Sequence, residues 1–114
     1  MPAVQIRIRE TGGKWVVRAG GAILGESGKT VELNEGDRPA VIYFPREDVA
    51  MAFLEPSNQT TTCPYKGVAS YYSIHTKSAV LQNAVWSYEN PIETADRIKG
   101  YLAFDPLQVT VEEL

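Results

Sequence analysis

The chain is poor in the groups that usually hold metals or reactive centres. It contains one cysteine, Cys63, and one histidine, His75, among 114 residues. A single cysteine excludes an intrachain disulfide and any zinc site that needs two or more thiolates of one chain. With one histidine besides, no metal and no cofactor are expected. No stretch approaches about 20 apolar residues, so no membrane-crossing helix is expected. The opening "MPAVQIRIRE" lacks the apolar run of a secretory signal. No block of lysine and arginine stands out, and the net charge is −3. Nucleic-acid affinity comes mainly from clustered cations that neutralise phosphates. No nucleic-acid partner is therefore expected, and Arg7, Arg9 and Arg18 read as solvated surface. These absences fit a reducing cytoplasm.

What is present is ordinary globular material. Hydrophobic residues make up 44% and charged residues 22%, which argues against disorder over the whole chain. The length suits one domain, residues 1–114, with enough chain to bury a core unaided.

The first half reads as β. In "AVQIRIRE", Val4, Ile6 and Ile8 alternate with Gln5, Arg7 and Arg9, the period of a strand with one wet face. "TGGK" supplies turn residues, and "WVVRA" reads as the return strand of a hairpin. "AILGES" and "KTVEL" read as a second pair around Gly28, and "AVIYF" as a short buried strand. "PREDVAMAFLEP" then reads as a helix. Pro45 takes its first position, Glu47 and Asp48 its first turn, and Pro56 its end. "SNQTTTCPYKG" reads as an irregular link. "VASYYSIHT" and "AVWSYE" follow as strands, "NPIETADRIKG" as a second short helix, and "YLAF" and "LQVTVEE" as closing strands. The fold class is mostly β with two short helices.

Familiar motifs fail on inspection. "GESGKT" resembles the end of a phosphate-binding loop, but the required earlier glycine is Ile23 and a strand follows instead of a helix. The adjacent carboxylates Glu47–Asp48 and Glu112–Glu113 point apart and form no acid/base pair. His75 has no serine or cysteine and acid at a suggestive spacing and reads as surface.

The stretch "TTTCPYKGVASYY" carries the candidate site. Cys63 precedes a proline, which biases it towards extended geometry, and Gly67 allows a bend. Lys66 is the cation nearest in sequence to the thiol, and a cation favours the nucleophilic thiolate. Free cysteine is equally at home as a small buried hydrophobe. Tyr71 and Tyr72 fall on opposite faces of their strand, while Trp86 and Tyr88 share a face. A cup of Tyr65, Lys66, Tyr71 and Trp86 would suit a small planar or anionic ligand, with Tyr65 and Lys66 at its mouth and Cys63 behind.

The segments "CPYKG", "ASYY" and "AVWSYENP" resemble the family known as domain of unknown function 427. "NEGDRPAVIYFPREDV" upstream and "IKGYLAFDP" downstream extend the resemblance over most of the chain. The resemblance implies a compact two-sheet fold similar to the Mss4-like or β-tent architecture. Relatives of that architecture often hold zinc through two CxxC pairs, which this chain lacks, so the metal does not carry over. The family sometimes bears a nucleotidyltransferase-like label, for which no phosphate loop or convergent carboxylates speak here. Glu35 and Tyr43 are among the matched positions and join the candidate ligand-binding set. Three functions follow. The first is small-molecule binding at the "CPYKG" loop. The second is a protein-interaction module or homodimer built on the aromatic strand face. The third is a thiol-dependent enzyme using Cys63 with Lys66 as activator.

Overall fold

A computed structural model describes residues 5–114. It contains ten strands: β1 (Ile6–Glu10), β2 (Trp15–Ala19), β3 (Ala22–Ser27), β4 (Val31–Glu35), β5 (Val41–Tyr43), β6 (Leu54–Cys63), β7 (Gly67–His75), β8 (Val80–Ser87), β9 (Ala103–Phe104) and β10 (Thr110–Glu113). Val4, which the alternation also assigns to the first strand, lies outside the described residues. The radius of gyration is 13.7 Å, about the value of one compact unit of this length.

Where two sheets were implied, three hydrogen-bonded sheets form, in the orders β1-β4-β5, β10-β2-β3 and β6-β7-β8-β9, with every pairing antiparallel. The expected hairpins of the first half do not form. β1 pairs with β4, not with β2, and β3 pairs with β2, not with β4. The segments read as hairpin turns, 11–14 and around Gly28, instead carry the chain between sheets, and the hairpin that does form, β2–β3, closes at Gly20–Gly21; local turn chemistry does not decide which strands meet. That is settled by where the apolar faces are buried. Val31 and Leu33 of β4 share one core cluster with Ile6 and Ile8 of β1. Val17 and Leu24 of β2 and β3 belong to another.

One bridge ties two of the sheets together. Phe44, just past β5, exchanges both backbone hydrogen bonds with Leu102, just before β9, at 2.8 and 2.9 Å. Strand alternation then separates two cores. Phe44, Tyr72, Ile74, Val85, Leu102 and Phe104 pack with β2 and β3. Their chain neighbours Tyr43, Tyr71, Trp86 and Ala103 turn the other way, towards β1 and β4. The four-stranded sheet is thus packed on both faces, and the β4–β5 wing lies across one of them.

Both expected helices shorten to 3-10 turns. The first becomes two turns, Arg46–Asp48 and Met51–Phe53, and the second is Glu93–Ile98. In the first segment Val49 sits in extended geometry with φ −113° and ψ 138°, bridges Gly25 of β3 and buries its side chain in the core. Tertiary pairing there overrides the helical pattern. Pro56 does not end a helix. It lies within β6, an edge strand, where a residue without an N–H is tolerated. The supposed irregular link is likewise most of β6, which pairs with β7 from Leu54↔Ile74 to Cys63↔Gly67.

Candidate functional site

The "CPYKG" segment is the turn of the β6–β7 hairpin. Cys63 pairs with Gly67, and the Lys66 amide donates to the Cys63 carbonyl at 3.2 Å, with Pro64 at the second position of the turn. Proline's fixed φ suits that place. Gly67 has φ +115°, a conformation open mainly to glycine. The turn is fastened to the chain ahead of the Glu93–Ile98 turn, because Ile92 N–H donates to the Lys66 carbonyl at 3.0 Å and Thr94 Oγ1 to the Tyr65 carbonyl at 3.3 Å.

Held in this way, Lys66 and Tyr65 diverge. Lys66 is buried, 8% exposed, and its Nζ forms an ion pair with Glu35, itself 7% exposed, at the end of β4. The ammonium also lies 5.7 Å from the centroid of the Tyr88 ring, within cation–π range. Tyr65 stays exposed at 37%.

Above the ion pair lies an open groove of about 370 Å³. One wall comes from the β4–β5 wing: Leu33, Glu35, Val41 and Tyr43, with Arg38 and Pro39 from the connecting loop. The opposite wall comes from β7, β8 and the chain after them: Tyr71, Trp86, Tyr88, Asn83 and Asp105, with Lys66 at the base. Tyr71 and Trp86 face each other across strands, with centroids 6.3 Å apart and planes inclined by 39°. The Trp86 Nε1–H donates to the Tyr43 hydroxyl at 3.3 Å, linking the walls. The Tyr71 hydroxyl shares a 3.1 Å hydrogen bond with Thr61 of β6.

The electrostatics are those of a shielded floor beneath an aromatic wall. Burial, with Tyr88, Glu35 and Cys63 nearby, pushes the Tyr43 phenol well above its ordinary range. Burial, reinforced by Cys63, Tyr71 and Glu35, pushes Tyr88 up to about 12. Both phenols stay protonated across the physiological range and serve as neutral hydrogen-bonding groups. The Lys66 charge is answered inside the fold by Glu35, so the cation in reach of the groove's contents is Arg38 at the rim.

Five of the sequence-predicted residues therefore meet at one groove: Glu35, Tyr43, Lys66, Tyr71 and Trp86. Tyr65 and Cys63 do not line it. Cys63 is partly buried against the cluster of Val31, Leu33, Tyr43, Ala69 and Tyr88. Among the described residues no side chain hydrogen-bonds to its sulfur, and Lys66 is committed to Glu35. His75 is exposed and pairs with Glu55 at 3.0 Å. Arg9 and Arg18 are each paired with a carboxylate, Glu32 and Glu112. Among the described residues no cluster of three or more metal-binding side chains forms, and no helix is long and apolar enough to cross a membrane.

Sequence reasoning left seven of the twelve groove residues out of the site. Tyr88 shares a strand face with Trp86, and that alternation was the signal that could have placed it. Arg38 and Pro39 occupy a loop whose course depends on Gly36, at φ +54°. Asn83 reaches the groove through a strand irregularity that carries no sequence signature.

Fold and site together define a β-rich single domain with an aromatic-walled groove between two joined sheets. The family model described as Domain of unknown function (DUF427) matches residues 7–113, and the chain belongs to that family. No curated protein matches the chain.

Proposed function

We propose that this protein binds a small planar molecule in the groove between the β4–β5 wing and strands β7 and β8. One observation carries the reading. Tyr71 and Trp86 stand open above a buried Lys66–Glu35 pair whose charges cancel. A groove walled by aromatics with a few converging polar groups is the usual form of a small-molecule site. The internal neutralisation of Lys66 favours a planar ligand over one recognised chiefly by negative charge at that lysine. Arg38 can still meet an acidic substituent at the rim. A buried ion pair is a poor stabilising device compared with apolar packing. Its position beneath the groove is accounted for if it orients the aromatic walls for a ligand.

A thermal-shift screen of planar aromatic compounds on the unaltered protein and on Tyr71→Ser tests the reading. Tyr71 is half-buried and, among the described residues, its hydroxyl bonds only to Thr61, so the substitution removes a stacking surface at limited cost to the fold. Compounds bound in the groove lose about tenfold in affinity, the worth of an aromatic contact of 1–1.5 kcal/mol. Compounds that bind both forms equally are not in the groove, and a set made only of these refutes the proposal.

A further inference from the structure

Two strands of the four-stranded sheet bulge side by side. In β6, Ser57, Asn58 and Gln59 stand opposite Tyr71 alone, between the pairs Pro56↔Tyr72 and Thr60↔Ser70. In β8, Gln82, Asn83 and Ala84 stand opposite Ser73 alone, between Tyr72↔Val85 and Ile74↔Leu81. Bulges re-aim side chains and gather near functional sites. At the centre of the second bulge Asn83 has φ +52°, and it is the one non-glycine residue with positive φ among the described residues. Asparagine tolerates this conformation better than most residues, and the Asn83 amide N–H is held in it by Ser73 Oγ at 3.0 Å.

The outcome is that Asn83 joins Trp86 and Tyr71 among the residues that line the groove. A hydrogen-bond relay orients its side-chain amide. Gln59 N–H donates to Ser57 Oγ at 2.9 Å, and the Ser57 hydroxyl donates to Asn83 Oδ1. With Oδ1 facing Ser57, the Asn83 Nδ2 group is turned away from β6, and among the described residues no acceptor takes its hydrogens.

We propose that Asn83 sets the specificity of the groove by donating Nδ2–H to an acceptor on the edge of a planar ligand, such as a carbonyl oxygen or a ring nitrogen. The inference rests on the groove being a ligand site, as proposed above. It adds the chemistry of one ligand edge: an acceptor there, with the ring plane against Trp86 and Tyr71.

Two probes of similar size separate the possibilities. Acetophenone presents an acceptor and no donor, and protonated benzylamine presents donors and no acceptor. Their affinities are measured by ligand-detected NMR titration on the unaltered protein, Asn83→Asp and Asn83→Gly. Aspartate keeps the acceptor for Ser57 but replaces the free donor with an anionic acceptor. Glycine removes the amide and is the residue most at home at this φ, so that variant keeps the backbone. Loss of the amide in Asn83→Gly weakens acetophenone relative to benzylamine about fivefold, the worth of one hydrogen bond, and the anion in Asn83→Asp moves the ratio further the same way. An unchanged ratio in all three proteins overturns the role of Asn83 and leaves groove binding intact. If neither probe binds the unaltered protein, the groove reading fails and the inference fails with it.

Discussion

The Lys66–Glu35 pair is where the energetics of this fold can be tested most directly. Both residues are more than nine-tenths buried, and each is the other's charged partner. Replacing Lys66 by methionine keeps the length of the stem and a soft contact to Tyr88 but leaves the Glu35 carboxylate buried and unpaired. Removing one partner of a buried pair costs about 3–5 kcal/mol. For a domain of this length that lowers Tm by roughly 12–20 °C, at about 4 °C per kcal/mol. Glu35→Leu strands the ammonium and costs a similar amount. The double substitution removes both charges and their desolvation, so its stability returns to within about 1 kcal/mol of the starting protein or exceeds it. Urea unfolding followed by the fluorescence of Trp15 and Trp86 supplies the three free-energy differences, with an unchanged m-value confirming that the same surface is exposed. The coupling energy of the cycle should reach about 3 kcal/mol or more, far above the 0.2–1 kcal/mol of an exposed pair. Additive single effects, or a Lys66→Met loss below about 1 kcal/mol, would show that water screens the pair. Lys66 would then be a free cation at the base of the groove, and the floor would not be neutral.

Two further outcomes follow from the same geometry. The Tyr88 phenol is pushed up to about 12 by burial, against about 10 in an unfolded chain. Between those values the unfolded chain has released a proton that the folded chain still holds. Stability is therefore full below about pH 10 and declines as pH rises towards 12. Tyr43, displaced in the same direction, adds to the decline. Tyr88→Phe removes one source, so alkaline unfolding curves should show a shallower loss over that window; identical slopes would contradict the burial of the hydroxyl. Gly67→Ala should cost about 1–3 kcal/mol from the positive φ alone. Its new Cβ also meets Ile92 N and Pro91 Cα at 3.4 Å. A neutral result by thermal denaturation would mean that the "CPYKG" turn is not held as described.

Much of the strand content was legible because its signal is local. The alternation that put Tyr71 and Tyr72 on opposite faces is seen directly. Tyr71 lines the groove, and the Tyr72 hydroxyl donates to Glu89 on the other side at 2.9 Å. The partnering of strands was not legible, because β1 meets β4 across two intervening strands and no turn residue records that choice. The segment after Pro45 misled for a physical reason. Its apolar spacing fits a helix, yet Val49 gains more by bridging β3 than a short helix would recover.

The site was half legible for the same reason that Lys66 surprised. From sequence, a lysine in a proline–glycine turn belongs at the surface, because burying an ammonium is unfavourable unless an anion meets it. Glu35 meets it from a strand 31 residues earlier, and only the pairing of the two sheets brings them together. The resemblance had already marked both residues, but without their relation. Knowing the relation changes what a ligand would meet: the cation becomes part of the floor, and under the proposed reading recognition falls to Tyr71, Trp86, Arg38 and the amide of Asn83. That amide is in reach only because β8 carries its bulge beside Ser73. A straight β8 would set residue 83 opposite Tyr72 or Ile74, on the face of Val85 and away from Trp86, with no left-handed residue to aim it. The groove's chemistry is thus fixed by two departures from regular structure, a buried lysine and a bulged strand, more than by the motif that first drew attention to the loop.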